Sequence, residues 1–187
     1  LFNRRIAREI GDLSQNIYTF LKNRISHQLA EEGFSKDVIA AVVSVSADDI
    51  PDIWNKVATL ESLKAQPDFE PLAVAFKRVV NIMKKSGKLK TVEPPGVVNQ
   101  TLFEHESETA LFEIYKKVKN EISVAMDKGL FDKALHEIAS LREPVDAFFD
   151  GVMVMTDKIK VRHNRLNLLG CVAELFGKFA DFSKIST

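Results

Sequence analysis

The stretch FEPLAVAFKRVVNIMKK, residues 69–85, decides the fold. Its apolar residues recur at steps of three and four, so they lie on one continuous face of an α-helix. This apolar stripe consists of Phe69, Leu72, Ala73, Phe76, Val79, Val80 and Met83. Pro67 and Pro71 mark a break in the preceding pattern and a new helix start. The stretch therefore predicts an amphipathic helix that packs one face against a core.

The same periodicity predicts helices on both sides of this stretch. Upstream, they cover Leu13–Glu32 (ended by Gly33), Val38–Val43 (with Ser35 as N-cap) and Asp52–Lys64. Downstream, they cover Glu104–Lys128 (closed by Gly129), Asp132–Leu141, a short helix with Pro144 in its first turn that ends at Asp150, and Lys158–Phe182. The chain is thus predicted to be all-α, with a helical segment at residues 1–67 followed by a helical bundle at residues 68–187.

Two segments do not follow a helical pattern. Residues 86–100 contain Pro94, Pro95 and Gly96, so they cannot continue the helix before them and are predicted to form an extended loop. Residues 152–155 read Val-Met-Val-Met and are predicted to form a buried connection.

Composition indicates a globular protein, with 45% hydrophobic and 28% charged residues among 187. Lys plus Arg equals Asp plus Glu at 26 each, so any surface for a polyanion must be local.

The single Cys171 lies in an apolar run, which indicates a buried thiol and favours a reducing, cytoplasmic setting. No apolar run is long enough to cross a membrane. Because the chain starts at Leu1 in a helical pattern, we expect it to be part of a longer polypeptide.

No pattern of catalytic or metal-binding residues is evident. The four histidines are far apart, and His105 with Glu106 and Glu108 comes nearest to a metal-binding group. These acidic residues are better explained as solvated charge at the start of a helix. The sequence contains no Gly-rich phosphate loop and no Gly-x-Ser-x-Gly motif. We therefore expect neither catalysis nor a cofactor in this chain.

The informative polar feature is a basic run without an acidic residue, Lys77, Arg78, Lys84, Lys85, Lys88 and Lys90. On a helix that turns about 100° per residue, Lys77, Asn81, Lys84 and Lys88 are nearly in line, opposite the apolar stripe. Such a face suits phosphate contacts, which dominate affinity for nucleic acids. An ordinary solvated face is the alternative.

A second feature is Arg165, which lies within the apolar stripe of the last predicted helix. A charge there needs a partner, and Asp146 or Asp150 is the expected one. Phe148 and Phe149 are expected in the core rather than in a base-stacking platform, because stacking requires exposed rings.

Four strings, residues 75–85, 141–155, 162–166 and 179–183, resemble in order and spacing the end of the β subunit of bacterial heterotetrameric glycyl-tRNA synthetases. The block 141–155 is the most specific of them. Residues 3–8 and 33–42 are similar to the helical region that precedes that tail, so the resemblance covers nearly the whole chain. The sequence departs from the family pattern at Gly151 and in the loop 86–100.

The resemblance implies a DALR-type anticodon-binding domain from about residue 68, which binds glycine-specific tRNA. It implies that ATP-dependent glycine ligation takes place on a separate α subunit of an α2β2 complex. Together with the basic face, it gives these candidate RNA-binding residues: Lys77, Arg78, Asn81, Lys84, Lys85, Lys88, Arg162 and Asn164. The rival interpretation is a helical scaffold that docks another domain or subunit.

Overall fold

In the computed structural model, residues 2–45, 49–87 and 96–186 are described, with side chains from Leu13 onward, and the regular elements of these residues are all helical. The helices are α1 (Phe2–Glu31), α2 (Lys36–Val45), α3 (Ile50–Lys64), α4 (Phe69–Lys85), α5 (Glu106–Asp127), α6 (Phe131–Ala139), α7 (Arg142–Gly151) and α8 (Ile159–Phe179). Short 3-10 turns lie at Gln100–Leu102 and Phe182–Lys184. The predicted all-α class is confirmed.

Helix α4 lies against α7, α8 and the turn Phe182–Lys184. Phe76, at the centre of the apolar stripe, is fully buried, and its ring centroid lies 3.7 Å from that of Phe176 and 4.9 Å from that of Phe182. Val80 is only half-buried, although it belongs to the predicted stripe. The inward face of α4 is therefore as predicted, except at the edge where Val80 lies.

The helix ends follow the glycine pattern. Gly33 (φ 96°) and Gly129 (φ 67°) both adopt the left-handed conformation that glycine tolerates best, each two residues after the last residue of its helix, α1 or α5. Ser35 precedes α2, and its carbonyl accepts a hydrogen bond from the Ile39 N–H. The Ser35 hydroxyl, however, donates to the Glu61 carboxylate of α3, so the side chain joins two helices instead of capping one.

The first helices pack on the others. Helix α3 contacts α6, and α2 contacts α8 and the turn Phe182–Lys184. The Asp181 N–H donates to the Ala41 carbonyl, and the Asp37 carboxylate accepts from Lys64 Nζ at 2.8 Å and from the Ser186 N–H at 2.7 Å. One apolar core thus runs from α1 to the last turn. The boundary near Pro67 falls in the short connection between α3 and α4 and stays a prediction.

Two details differ from prediction. Helix α8 ends at Phe179 rather than Phe182, because Ala180 is extended and the Asp181 N–H bonds to α2. In the predicted buried connection 152–155 only Val154 is buried, whereas Met153 is 75% and Met155 46% exposed. This segment contributes its backbone to the interior, since the Met153 carbonyl accepts from buried Arg165.

Of the predicted loop 86–100, residues 88–95 lie outside the described part. Residues 96–99 have no regular secondary structure, and Asn99, with an extended backbone, leads into the turn Gln100–Leu102. Within the described residues, no helix is both long and apolar enough to span a membrane.

Candidate nucleic-acid interface

The polar face of α4 carries most of the predicted RNA-binding residues. Asn81, Lys84 and Lys85 are exposed, and Lys77 is half-buried. Glu70 lies in the first turn of the helix and the two lysines in its last, which is the charge order that the helix dipole favours. The amphipathic pattern that buries Phe76 therefore also presents these side chains on the opposite side.

Arg78 has a different environment from its neighbours on α4. Its guanidinium lies 3.5 Å from an Asp146 carboxylate oxygen and 4.0 Å from one of Asp150, and it covers the ring of Phe149 at 4.4 Å. Arg142 reaches the same Asp146 at 3.7 Å. The carboxylates of α7 thus balance the charge of Arg78, and these ion pairs link α4 to α7.

Lys84 and Lys85 differ from Arg78 because neither has a carboxylate within salt-bridge distance among residues 2–45, 49–87 and 96–186. Both are exposed at the last turn of α4. Lys88, which was predicted to extend this row, lies outside the described residues. The uncompensated positive charge of α4 is therefore concentrated at its C-terminal end.

Arg162 and Asn164 lie near the start of α8. Arg162 is half-buried, and its Nη1 donates to the Thr156 carbonyl at 3.5 Å. Asn164 is only 3% exposed: its Oδ1 accepts from the Asn99 N–H at 2.7 Å and its Nδ2 donates to the Asn99 carbonyl at 2.9 Å. Asn164 thus pairs with both backbone groups of Asn99 and holds this residue against α8. This burial does not fit its expected place on an RNA-facing surface.

Arg165 is 5% exposed and pairs with Glu108, which is fully buried. Nε lies 2.9 Å from Oε1 and Nη2 3.1 Å from Oε2, and Nη1 donates to the Met153 carbonyl at 3.1 Å. The predicted buried ion pair is confirmed, but the predicted partners Asp146 and Asp150 were wrong, since they face Arg78. The expectation of solvated charge at the start of α5 holds for Glu106, which is exposed, but not for Glu108, which is buried.

Glu108 is held as an anion. Burial alone would raise its pKa, but the hydrogen bonds from Arg165 and from the N–H groups of Glu104 and His105 outweigh burial and keep the pKa below its usual value. The bond to the His105 N–H also completes the N-terminal cap of α5. Glu108 therefore serves the interior of the bundle and takes no part in the candidate interface.

His105 and Ser107 lie close to Gly151, the last residue of α7. A Cβ on Gly151 would lie 2.5 Å from His105 Cε1 and 2.8 Å from Ser107 Oγ. The His105 ring is fixed there because its Nδ1 accepts from the Ser107 N–H at 3.2 Å. A larger residue at position 151 would therefore require the side chains of His105 and Ser107 to shift.

Cys171 is a buried thiol, as predicted. Burial raises its pKa, while a hydrogen bond with Tyr115 acts in the opposite direction. The thiol therefore stays protonated at neutral pH and belongs to the core.

Comparison with known proteins agrees with this arrangement. Residues 72–187 match the DALR anticodon binding domain. The chain is 49% identical over 178 residues to the glycine–tRNA ligase beta subunit of Desulfatibacillum aliphaticivorans, covering 95% of the chain and 25% of that protein. It is 41% identical to the subunit of the same name from Desulforapulum autotrophicum (94% of the chain, 25% of that protein) and 33% identical to that of Syntrophus aciditrophicus (100% and 26%).

The chain spans about a quarter of the length of these relatives. The matched residues begin within the first turn of α4 and include the basic face, α7 and α8. The resemblance found in the sequence is confirmed, and the chain belongs to the family of DALR anticodon-binding domains.

Proposed function

We propose that this chain binds the anticodon arm of tRNA through the C-terminal end of α4, as part of a glycine–tRNA ligase β subunit. The observation that carries the proposal is the pair Lys84 and Lys85, exposed and without a carboxylate partner in the described chain, within a domain of the anticodon-binding family. Lysines of this kind form ion pairs with RNA phosphates and release counterions, which provides affinity without reading sequence.

The candidate residues have different roles in this proposal, because they differ in exposure and in their ion-pair partners. Asn81, Lys84 and Lys85 face the RNA directly, and Lys77 extends the contact along the same helix. Lys88 stays a candidate contact outside the described residues. Arg162 contributes from the edge of α8. Arg78 acts as a positioning residue, because its ion pairs with α7 fix the orientation of α4.

Ligation belongs to the rest of the enzyme in this proposal. Glycine activation with ATP takes place on a separate α subunit of an α2β2 assembly in the cytoplasm, and this chain contributes tRNA binding. The relatives are named beta subunits of glycine–tRNA ligases, which supports this division of labour.

The test is a titration of the chain with glycine-specific tRNA at two salt concentrations. Phosphate contacts predict that affinity falls steeply as salt rises, by a slope of about 0.7–0.9 per contact on a double-logarithmic plot. A chain that shows no binding at either salt concentration would contradict the proposal.

One observation favours docking as a second function. Leu13, Ile17, Phe20 and Leu21 form an apolar row on α1 and are 60%, 51%, 67% and 43% exposed. Exposed rows of this kind mark protein interfaces. We therefore propose that this α1 face contacts another part of the same enzyme, while the α4 face binds tRNA. Replacing Phe20 with Ser should weaken assembly of the complete enzyme and leave tRNA affinity of this chain unchanged; unchanged assembly would contradict it.

A further inference from the structure

Arg78 lies on the outer side of α4, in line with a lysine at the C-terminal end of the helix. Arg78 and Lys85 are seven residues apart. On a helix that turns about 100° per residue, they therefore point within about 20° of each other and lie about 10 Å apart along the axis. The Arg78 side chain is 42% exposed. The surface that carries Lys85 thus continues to Arg78.

The carboxylates of α7 hold Arg78 by long contacts. Nη1 lies 3.5 Å from Oδ1 of Asp146, and Nη2 lies 4.0 Å from Oδ1 of Asp150. Charge-assisted hydrogen bonds between nitrogen and oxygen span about 2.7–2.9 Å, as between Arg165 and Glu108 at 2.9 Å. Within the described part of the chain, no direct hydrogen bond joins Arg78 to either carboxylate. Close hydrogen bonds therefore do not occupy the N–H donors of Arg78.

Neither carboxylate of α7 belongs to Arg78 alone and out of water. Asp146 Oδ2 also lies 3.7 Å from Arg142 Nε, which is buried and has no hydrogen-bond partner among the described residues. One carboxylate thus faces two guanidiniums. The side chain of Asp150 is 78% exposed, so water and salt screen its attraction to Arg78. A stronger acceptor can therefore draw Arg78 away from both.

The ring of Phe149 provides a support for Arg78 that does not depend on the carboxylates. The guanidinium carbon lies 4.4 Å from the centroid of this half-buried ring. A guanidinium stacked on a ring keeps the N–H donors at its edge available, and these donors match two oxygens of a phosphate. Arg78 can thus exchange a carboxylate for a phosphate while it stays on Phe149.

We propose that Asp146 and Asp150 act as an internal substitute for an RNA phosphate and limit RNA affinity by competing for Arg78. The inference rests on the proposed function and adds to it a control of binding strength. Lys84 and Lys85 attract RNA without competition, whereas Arg78 contributes only where a phosphate displaces the carboxylates of α7.

The experiment is a double-mutant cycle of the parent, Asp146→Asn/Asp150→Asn, Arg78→Gln and their combination. Each chain is titrated with glycine-specific tRNA at several salt concentrations. Loss of both carboxylates should raise the affinity by up to about fivefold, the range that an exposed ion pair spans. The salt slope should steepen by up to about 0.7–0.9, the value of one phosphate contact. Arg78→Gln should then lower the affinity of the carboxylate-free chain several-fold more than that of the parent.

A matched control separates competition for Arg78 from a general change in charge. Asp127→Asn/Asp132→Asn removes the same charge from exposed sites at the end of α5 and the start of α6. It should raise the affinity much less than the α7 variant does, because solvent screens distant charges. Thermal unfolding checks that each chain is folded. If the double α7 variant is unfolded, Asp150→Asn alone gives the same cycle with a smaller amplitude.

Unchanged affinity and slope in the folded α7 variant would overturn the inference. An equal loss from Arg78→Gln in both backgrounds would overturn it too, because the charge of Arg78 would then act independently of the carboxylates. A control that gains as much affinity as the α7 variant would do the same. These results leave the proposed function intact as long as the parent binds tRNA, whereas a parent that does not bind overturns both.

Discussion

The guanidinium of Arg165 donates two hydrogen bonds to the carboxylate of Glu108, at 2.9 and 3.1 Å, and both side chains are buried. The pair joins the start of α5 to α8. Through the third bond, to the Met153 carbonyl, it also fixes the connection between α7 and α8. Glu108 also accepts hydrogen bonds from two backbone N–H groups, so most donors and acceptors of the pair have hydrogen-bond partners.

Replacing Arg165 with Ala should destabilise the chain strongly. The change leaves Glu108 buried without its counter-ion, and removal of one member of a buried pair typically costs about 3–5 kcal/mol. The measurement is the free energy of unfolding in urea. Arg162→Ala, which removes a half-buried arginine three residues away on the same helix, is the control and should cost much less. Equal stability of Arg165→Ala and the parent would contradict the assignment.

Stability should decline in acid through Glu108 and Asp37. Despite burial, hydrogen bonds and the Lys64 and Arg165 charges hold both carboxyl pKa values below their ordinary range in the folded chain. In the unfolded chain they return to about 4. The stability they contribute is therefore complete above that pH and is lost as pH falls toward the folded pKa values.

Asp37→Asn tests this pH dependence. The variant should be less stable than the parent at pH 7, because Lys64 loses its ion pair and Ser186 a charged acceptor. The difference should shrink in acid, where the parent carboxylate is protonated as well. A difference that stays constant from pH 7 to strongly acidic solution would show that the carboxylate charge is not involved.

Gly151→Ala should destabilise the chain, because the new methyl group would overlap His105 and Ser107. Overpacking of this kind typically costs about 1–3 kcal/mol. Gly177→Ala is the matched control: it meets no neighbour and should stabilise α8 by up to about 1 kcal/mol. Thermal unfolding of both variants gives the comparison, and a Gly151→Ala melting temperature at or above that of the parent would contradict the predicted overlap.

The isolated chain should not activate glycine. The sequence lacks a phosphate-cradling loop and a catalytic arrangement, so ATP–pyrophosphate exchange with glycine should stay at the level of the buffer. Adding the α subunit and the remainder of the β subunit is the positive control. Exchange by the highly purified chain alone would contradict the proposed division of labour.

Local sequence patterns predicted the helices correctly, but they did not predict contacts between residues that are far apart in the sequence. The α4 stripe and the ends at Gly33 and Gly129 depend on neighbours in sequence, and they were confirmed. The partner of Arg165 lies 57 residues away, so spacing could not select Glu108 over the nearer Asp146. A four-residue apolar run likewise could not reveal that Met153 contributes a buried carbonyl and an exposed side chain.

In the candidate interface, too, the sequence predicted positions on one helix but not contacts with other helices. The sequence predicted that one face of a helix carries Lys77, Asn81, Lys84 and Lys85, because the spacing of these residues and the geometry of a helix are enough for that prediction. It could not separate Arg78 from this row, because the carboxylates that neutralise Arg78 belong to α7. For Asn164, family resemblance identified the residue, but only the fold reveals its bonds to Asn99.

The most direct test of the central claim is the salt dependence of tRNA binding by the Lys84→Ala/Lys85→Ala double variant. The control is Lys117→Ala/Lys133→Ala, which removes the same charge from exposed sites on α5 and α6. We expect the α4 variant to fold normally, to bind glycine-specific tRNA more weakly, and to lose about 0.7–0.9 in salt slope for each phosphate contact removed. The control variant should keep the slope of the parent. An α4 variant with unchanged affinity and slope, or a control that loses as much, would contradict the claim that the end of α4 binds tRNA.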